Sequence, residues 1–340
     1  MSTIEQMIQD KAYALGYEKC GIVPIQALDD YGEQLQERIQ KVPFAEKFYE
    51  RQKHFASIQQ EYPWVKSVIV VAVRYGKYKI PEHLKGHIGK AYLFDSRVEQ
   101  GSIRNSLAME KYLQELGLKV ASNQKFGMIG LRLAAMKAGL GIIRKNNFFY
   151  TESGSWVRLE AWLTDREMKL IEDSHLPVCP KGCNRCIQAC PSGSLSSSYT
   201  MSPLSCISFL TTFGGRDLPN EPLCKNFGDW IYGCDACQDA CPMNKGKWEE
   251  TDDFPEVSQW SPHLTPENVM GMKEDFYQQK IQPKFFYLAP EELWKWQVNV
   301  LCFMRNNYQE TYQPYIIVAC QNENPKVREM AQLICKERYA

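Results

Sequence analysis

The sequence lacks a net charge, a long apolar run and an export signal. Its 40 Lys and Arg residues balance 40 Asp and Glu residues, whereas a dedicated nucleic-acid-binding protein usually has a basic excess because phosphate contacts dominate its affinity. No stretch approaches 18 uninterrupted apolar residues, so no transmembrane helix is expected. The segment after Met1 has no basic region followed by an apolar one. These absences predict a cytoplasmic protein and give no global argument for tRNA or DNA as a partner.

Cysteine, in contrast, is abundant: nine of the 13 cysteines fall within residues 179–242, and all of these except Cys224 form two sets of four. The first set is Cys179, Cys183, Cys186 and Cys190, and the second set is Cys206, Cys234, Cys237 and Cys241. Each set ends in Cys-Pro, as do the ligand runs of bacterial two-cluster ferredoxins. The pattern predicts a redox protein with two 4Fe-4S clusters.

The ferredoxin resemblance also implies which cysteines bind together. A cubane cluster needs thiolates at four tetrahedral corners, so a short loop supplies three and a distant residue supplies the fourth. In two-cluster ferredoxins the Cys before Pro ligates the other cluster. One cluster is then expected on Cys179, Cys183, Cys186 and Cys241, and the other on Cys190, Cys206, Cys234 and Cys237. Cys179 is the least secure ligand, since three residues separate it from Cys183 where two are usual.

Disulfides, zinc and buried free thiols each fit this cysteine pattern less well. A disulfide framework is disfavoured because the chain is long and has no export signal. Structural zinc suits Cys-x-x-Cys pairs, but zinc sites rarely repeat the x3-Cys-Pro ending. Buried free thiols explain single cysteines only, and this is the expectation for Cys20, Cys224, Cys302, Cys320 and Cys335.

Apolar periodicity divides the chain into three parts. Residues 1–175 alternate helical and strand patterns, with strands at 19–24, 68–75, 118–122 and 157–164, and predict an α/β or α+β domain. Residues 176–247 form the cysteine-bearing, ferredoxin-like module. Residues 248–340 begin with a proline-rich connection and become helical from Glu291, in a pattern resembling a short HEAT-like repeat that should dock on the cysteine module.

Several separated stretches match one known family. They are residues 63–75, Arg132 with 138–146, 154–164, 206–212 and 232–244. Together they resemble the epoxyqueuosine reductase family, which is related in its core to the corrinoid reductive dehalogenases. The resemblance extends over residues 10–335, so it applies to the whole architecture.

This resemblance implies a base-off cobalamin in the N-terminal domain, with two 4Fe-4S clusters relaying electrons toward its cobalt. The residues carried over as cofactor contacts are Arg132, Gly139, Gly141, Lys145, Asn146 and Ser155. For the two glycines the alternative is a helix–strand turn, and for Lys145 and Asn146 a solvated loop. A low-potential donor of the ferredoxin or flavodoxin type is the implied partner.

The departures from the family concern the expected substrate pocket. Where the family has a proton-donating acid, seven positions before Arg132, this chain has Lys125. The family's Asp-Tyr-His signature is missing near residues 92–100, which leaves Tyr92 and Asp95 as further catalytic candidates. The Gly of the family's Gly-Lys-Asn is Arg144.

We therefore expect a paralogue with the same cofactors and a different substrate. It would reductively cleave a C–O or C–halogen type bond in a small molecule or a modified nucleoside, and tRNA has less support because of the neutral charge. Three alternatives stay open at this point: epoxyqueuosine reduction on tRNA, an electron-transfer protein that activates a partner's corrinoid, and a ferredoxin module fused to a binding scaffold.

Overall fold

The computed structural model describes residues 2–95, 102–123, 127–213 and 221–339, which form a mixed α/β structure. The strands, in chain order, are β1 (Lys19–Pro24), β2 (Ser67–Arg74), β3 (Tyr78–Lys79), β4 (Val120–Ala121), β5 (Ile142–Ile143), β6 (Phe149–Tyr150), β7 (Val157–Thr164), β8 (Leu195–Ser197), β9 (Thr200–Met201) and β10 (Asp252–Asp253).

The helices are interspersed with these strands and become dominant toward the C-terminal end. They are α1 (Ile4–Ala14), α2 (Tyr31–Lys41), α3 (Glu46–Glu50), α4 (Ile58–Glu61), α5 (Lys90–Phe94), α6 (Ile103–Glu115), α7 (Leu131–Lys137), α8 (Arg185–Gln188), α9 (Ile207–Thr212), α10 (Glu221–Asn226), α11 (Ala236–Asp239), α12 (Val257–Trp260), α13 (Pro266–Met270), α14 (Glu274–Phe276), α15 (Leu293–Asn306), α16 (Gln313–Ala319) and α17 (Pro325–Tyr339). No helix of the described ranges is both long and apolar enough to span a membrane.

The four strands predicted in the N-terminal part form one sheet in the order β1-β2-β7-β4. Every neighbouring pair is antiparallel, and β2 pairs with β7 along its full length. β2 is apolar from Val68 to Val73 because both of its faces are buried along most of this stretch. Val68 and Val70 pack with residues of α7, whereas Ile69 and Val71 pack on the other face with residues of α1 and α6.

The cysteine-bearing part contains little regular structure. The second cysteine of each Cys-x-x-Cys pair lies in a short helix, Cys186 in α8 and Cys237 in α11, and the two helices pack against each other. The two cysteine runs thus face each other, and this brings distant cysteines together.

The terminal helices pack on the cysteine-bearing part, as expected from their apolar stripes. Asn299 of α15 donates a hydrogen bond from Nδ2 to the carbonyl oxygen of Thr211, at 2.8 Å, and Thr211 lies in the helix that follows Cys206. The Trp296 ring stacks on Tyr232 with 4.7 Å between ring centroids. One hydrophobic core therefore joins α15 to the segments that carry the second cysteine set.

Candidate cluster sites and the adjoining cleft

The first four-cysteine group surrounds a small space, of about 310 Å³ including its solvent-open part. Its lining includes Cys179, Cys183, Cys186 and Cys241. The longer spacing after Cys179 is taken up by a turn in which the amide of Cys183 donates to the carbonyl of Pro180 at 3.1 Å. We name this group the first cysteine site.

The remaining four cysteines surround a second cavity, of about 870 Å³ including its solvent-open part. Cys190, Cys206, Cys234 and Cys237 are among its lining residues. Cys190 of the first run thus lies with three cysteines of the second set, and Cys241 of the second run lies with three cysteines of the first set. The grouping is the one expected from the ferredoxin pattern, and it supports two cluster sites. We name this group the second cysteine site.

The chemistry of the thiols fits a polynuclear cluster. Burial raises the pKa of the Cys206 and Cys234 thiols and carries that of Cys237 well above its ordinary range, and nearby cysteines add to these shifts. Four thiolates in such a place need a cationic centre to compensate their charge. Within the described ranges no three His, Cys, Asp or Glu side chains converge as a single metal ion requires. Each cysteine group instead encloses a space.

Ser155, predicted to contact a cofactor, holds the second cysteine run in place. Its amide donates to Asn244 Oδ1 at 2.8 Å, and its hydroxyl donates to Gln238 Oε1 at 2.9 Å. Asn244 Nδ2 in turn donates to the Gln238 carbonyl at 2.8 Å. Sequence reasoning missed Asn244 and Gln238, although both lie within or just after the second run.

Lys145 and Asn146 also lie against the cysteine-bearing segments. Lys145 Nζ donates to the carbonyl of Cys183 at 2.9 Å. The buried Asn146 donates from Nδ2 to the Tyr150 hydroxyl at 2.8 Å and to the carbonyl of Cys237 at 3.3 Å. Asn146 lines both cysteine cavities. Both side chains therefore support cluster-bearing loops, and neither forms part of a solvated loop.

Close contacts with the chain's own backbone explain why positions 139 and 141 are occupied by Gly139 and Gly141. Gly139 has φ +74°, and a Cβ there would overlap the carbonyl oxygen of Glu172. A Cβ at Gly141 would overlap the carbonyl oxygen of Tyr150. The close approach expected for a cofactor is thus made by neighbouring segments, which favours the turn-shaping alternative.

A cleft leads from the second cysteine site into the N-terminal part. Two further cavities, of about 540 and 980 Å³ including open solvent, adjoin the cavity of that site. The 540 Å³ cavity shares Phe48 and Met201 with the cysteine cavity, and the 980 Å³ cavity shares Phe148 with it. Arg132 lines both of the further cavities. We name the two further cavities together the central cleft.

The central cleft has aromatic walls and a cationic side. Arg132, one of the predicted cofactor contacts, lines it together with Arg38 and Lys41. Burial, with the nearby positive charge of Arg38, lowers the pKa of Arg132 to about 10. Arg132 donates to the carbonyl of Asn147. Among the described residues, the buried Asn147 Nδ2 has no hydrogen-bond acceptor.

Comparison with known proteins agrees with this geometry. The 4Fe-4S double cluster binding domain family matches residues 179–244. The epoxyqueuosine reductase of Atelocyanobacterium thalassa is 28% identical over 310 residues, covering 87% of this chain and 98% of the relative. The structure of epoxyqueuosine reductase from Streptococcus thermophilus superposes with a TM-score of 0.79 at 22% identity, covering 99% of this chain and 90% of that one. An epoxyqueuosine reductase with an epoxyqueuosine-modified tRNA-Tyr stem loop gives 0.77 at 22% identity, covering 97% and 89%.

The chain is a homologue of the epoxyqueuosine reductases. Residues 179–244 accordingly form a 4Fe-4S-binding module, as the cysteine pattern predicted. The solved epoxyqueuosine reductases also share the chain's fold over nearly its full length.

The catalytic candidates drawn from the epoxyqueuosine reductase resemblance have different surroundings. Lys125 lies outside the described residues. Tyr92 lines the cavity of the second cysteine site, where its hydroxyl is 2.7 Å from Ser208 Oγ, and burial raises its pKa. Asp95 instead accepts from Arg158 Nη1 at 2.7 Å, so it is held in an ion pair. Of the two described candidates, Tyr92 is the one on the cavity wall.

Lys284 is a buried lysine that no sequence motif marks. Its Nζ donates to the carbonyls of Leu93 at 2.5 Å and Asp95 at 2.9 Å. Burial lowers the pKa of Lys284 to about 7, while Asp95 opposes that shift. The side chain anchors the end of α5, and thereby the position of Tyr92.

Proposed function

We propose that the chain is a cobalamin-dependent iron–sulfur reductase whose cofactor occupies the central cleft. The main observation that supports this function is that the cleft begins at the second cysteine site and extends into the sheet-containing part. The 540 and 980 Å³ cavities share Arg38, Gln52 and Arg132 in their linings, so together they provide for a ligand larger than either would hold alone. A cluster at the second cysteine site would border the cleft directly.

The residues of the cleft suit a corrinoid. Phe48, Phe55 and Phe148 offer apolar walls to a macrocycle, whereas Arg38 and Arg132 offer positive charge to the phosphodiester of a nucleotide tail. Asn147 Nδ2, which has no acceptor among the described residues, offers a donor on the same side. When bound, the cobalt supplies a strong reductant and nucleophile, and the protein supplies orientation and protons.

The first cysteine site supports electron entry from a partner. Lys181 and Arg185 are exposed beside its cysteines, and residues 177–192 contain no Asp or Glu. Basic surface charge attracts an acidic partner and speeds encounter. A low-potential ferredoxin or flavodoxin is therefore the proposed donor, and electrons would pass from the first site to the second and on to the cleft.

The substrate we propose is a small molecule or modified nucleoside with a reducible C–O or C–halogen bond. Lys125 occupies the position where the resemblance implies an acidic residue. The proton must therefore come from Lys125 or from another group. Tyr92 is the described side chain with a phenolic hydroxyl on the wall of the second cysteine cavity, and it is our candidate donor. Epoxyqueuosine in tRNA is the alternative substrate, because a homologous fold is known with such a stem loop.

Turnover by the cluster- and cobalamin-loaded protein tests this function. The reduced protein would be given an epoxyqueuosine-modified tRNA-Tyr stem loop, the free epoxyqueuosine nucleoside and an organohalide, with mass spectrometry of the products. Cobalamin-dependent loss of oxygen or halogen from the nucleoside or organohalide supports the proposal, and loss from the stem loop alone moves the substrate to tRNA. Reduction of a separate corrinoid protein with no turnover would contradict it and identify an activating protein.

A further inference from the structure

Arg144 places a buried positive charge at the first cysteine site. Only 3% of the residue is exposed, and Nη1 lies 4.0 Å from Cys179 Sγ. The guanidinium carbon is 5.0 Å from the centroid of the Tyr150 ring. Among the described residues, Nε has no hydrogen-bond acceptor.

The backbone holds Arg144 firmly in this position. It lies in the turn between β5 and β6, where its amide donates to the carbonyl of Phe148 at 3.0 Å and its carbonyl accepts from the amide of Asn147 at 2.8 Å. A guanidinium stays protonated in proteins, and its burial costs free energy unless a negative charge compensates it. The Tyr150 ring supplies part of the compensation, and the thiolates of the first cysteine site would supply the rest.

We propose that Arg144 raises the reduction potential of the 4Fe-4S cluster at the first cysteine site. Accepting an electron makes a cluster more negative by one charge, so a fixed cation beside its ligand Cys179 stabilises the reduced form. Net charge, burial and contacts to the sulfur atoms are the levers by which proteins tune such clusters. Arg144 is thus a tuning residue, and the inference rests on the cluster-binding part of the proposed function only.

The second cysteine site has a different electrostatic environment. Its described lining residues include no Lys or Arg, and the nearby Lys90 is paired with the carboxylates of Asp235 and Asp239. The first cluster is therefore the easier of the two to reduce. This order makes the first site the electron entry point and keeps the more strongly reducing cluster beside the central cleft.

Anaerobic redox titration followed by electron paramagnetic resonance tests the inference. Arg144→Gln removes the charge, and Arg144→Lys keeps it. Arg185→Gln is the matched control, because Arg185 is an exposed cation beside Cys186 and is screened by solvent. We expect Arg144→Gln to lower the reduced-to-oxidised ratio of one cluster about tenfold at the native midpoint, which equals 59 mV for one electron. Arg144→Lys should change it less than about threefold, and Arg185→Gln should leave it unchanged. Unchanged midpoints of both clusters in an iron-replete Arg144→Gln protein would overturn the inference.

A second measurement leaves Arg144 in place, in case its replacement prevents cluster uptake. Cys179→Ala removes a ligand of the first cluster only. The signal that reduces at the higher potential should then disappear, while the lower-potential signal stays. Loss of the lower-potential signal instead would overturn the inference. Absence of both signals in the unmodified chain would contradict the cluster assignment itself, and so distinguishes the two failures.

Discussion

Cys179 reaches the first cysteine site through a turn that the usual ligand spacing does not contain. The extra residue is accommodated by Gly182, whose φ of +74° lies in the region that favours glycine. A turn of this kind shortens the path between Cys179 and Cys183, so the longer spacing still brings both thiols to one cavity. We therefore propose that Cys179 binds the first cluster together with Cys183, Cys186 and Cys241.

Replacing Cys179 should remove one cluster and leave the other. In Cys179→Ala the iron content should fall from about eight to about four per chain, since each cubane carries about four irons. Cys320→Ala is the control, because Cys320 lies in the terminal helices and contacts Cys335, not a cysteine site. Iron analysis of both proteins, purified anaerobically, measures the effect. Equal iron in Cys179→Ala and the unmodified chain would remove Cys179 from the ligand set.

Some residue roles could be predicted from the sequence and others could not. The partition of the cysteines follows from spacing within two short runs, and the cavities group them in the same way. Lys145, Asn146 and Ser155 were expected at a cobalamin, but their hydrogen-bond partners lie 38, 91 and 83 positions away. Only the folded chain brings such partners together, so their support of the cysteine loops had no local signal.

At the scale of elements, the turn after α7 depends on a glycine for two reasons. Gly139 adopts φ +74°, which strains any residue with a Cβ, and the carbonyl of Glu172 occupies the space where a Cβ would stand. The same turn leads into β5 and so to Arg144. Its geometry therefore controls where the loop meets the first cysteine site.

A pair of glycine variants separates backbone strain from close packing. Gly86 has φ +75°, and no atom lies within 4 Å of the position that a Cβ would take, so Gly86→Ala should cost about 1–2 kcal/mol of stability through strain alone. Gly139→Ala should cost about 1–3 kcal/mol more, since it also overpacks. The Tm of each cluster-loaded protein, measured anaerobically, compares them. Equal losses of Tm would show that packing against Glu172 contributes nothing.

Long periodic elements were predictable, and of the short strands in the N-terminal and cysteine-bearing parts β4 was predicted while β5, β6, β8 and β9 were not. The apolar run of β2 and the alternation in β7 indicated strands, and both occur at the expected positions. β5, β6, β8 and β9 contain only two or three residues each. Such pairs carry too little periodicity to be detected, because their ladders depend on the surrounding tertiary contacts.

At the scale of the whole molecule, the central cleft is assembled from segments far apart in the chain. Arg38 lies in α2 and Arg132 in α7, and the cavity that adjoins the cleft is lined by Cys190 and Cys237 of the two cysteine runs. Composition and spacing do not reveal which segments meet, so the cleft could be anticipated only through the family resemblance. The two cysteine sites lie on one path toward it, with Asn146 lining both cavities.

The terminal helices complete the same assembly. α15 is buried along most of its length and shares a hydrophobic core with Tyr232, two residues before Cys234. The apolar stripes correctly predicted that these segments are helical and pack on the cysteine-bearing part. The HEAT-like character stays a prediction. The terminal part therefore supports the second cysteine site.

The most direct test of this account is the iron and cobalt content of the chain, produced anaerobically with cobalamin supplied. Two 4Fe-4S clusters and one cobalamin predict about eight irons and about one cobalt per chain, with an absorbance spectrum of base-off cobalamin. About eight irons with no cobalt, even after the protein is soaked with cobalamin, would contradict the proposed cofactor of the central cleft and leave an iron–sulfur electron-transfer protein.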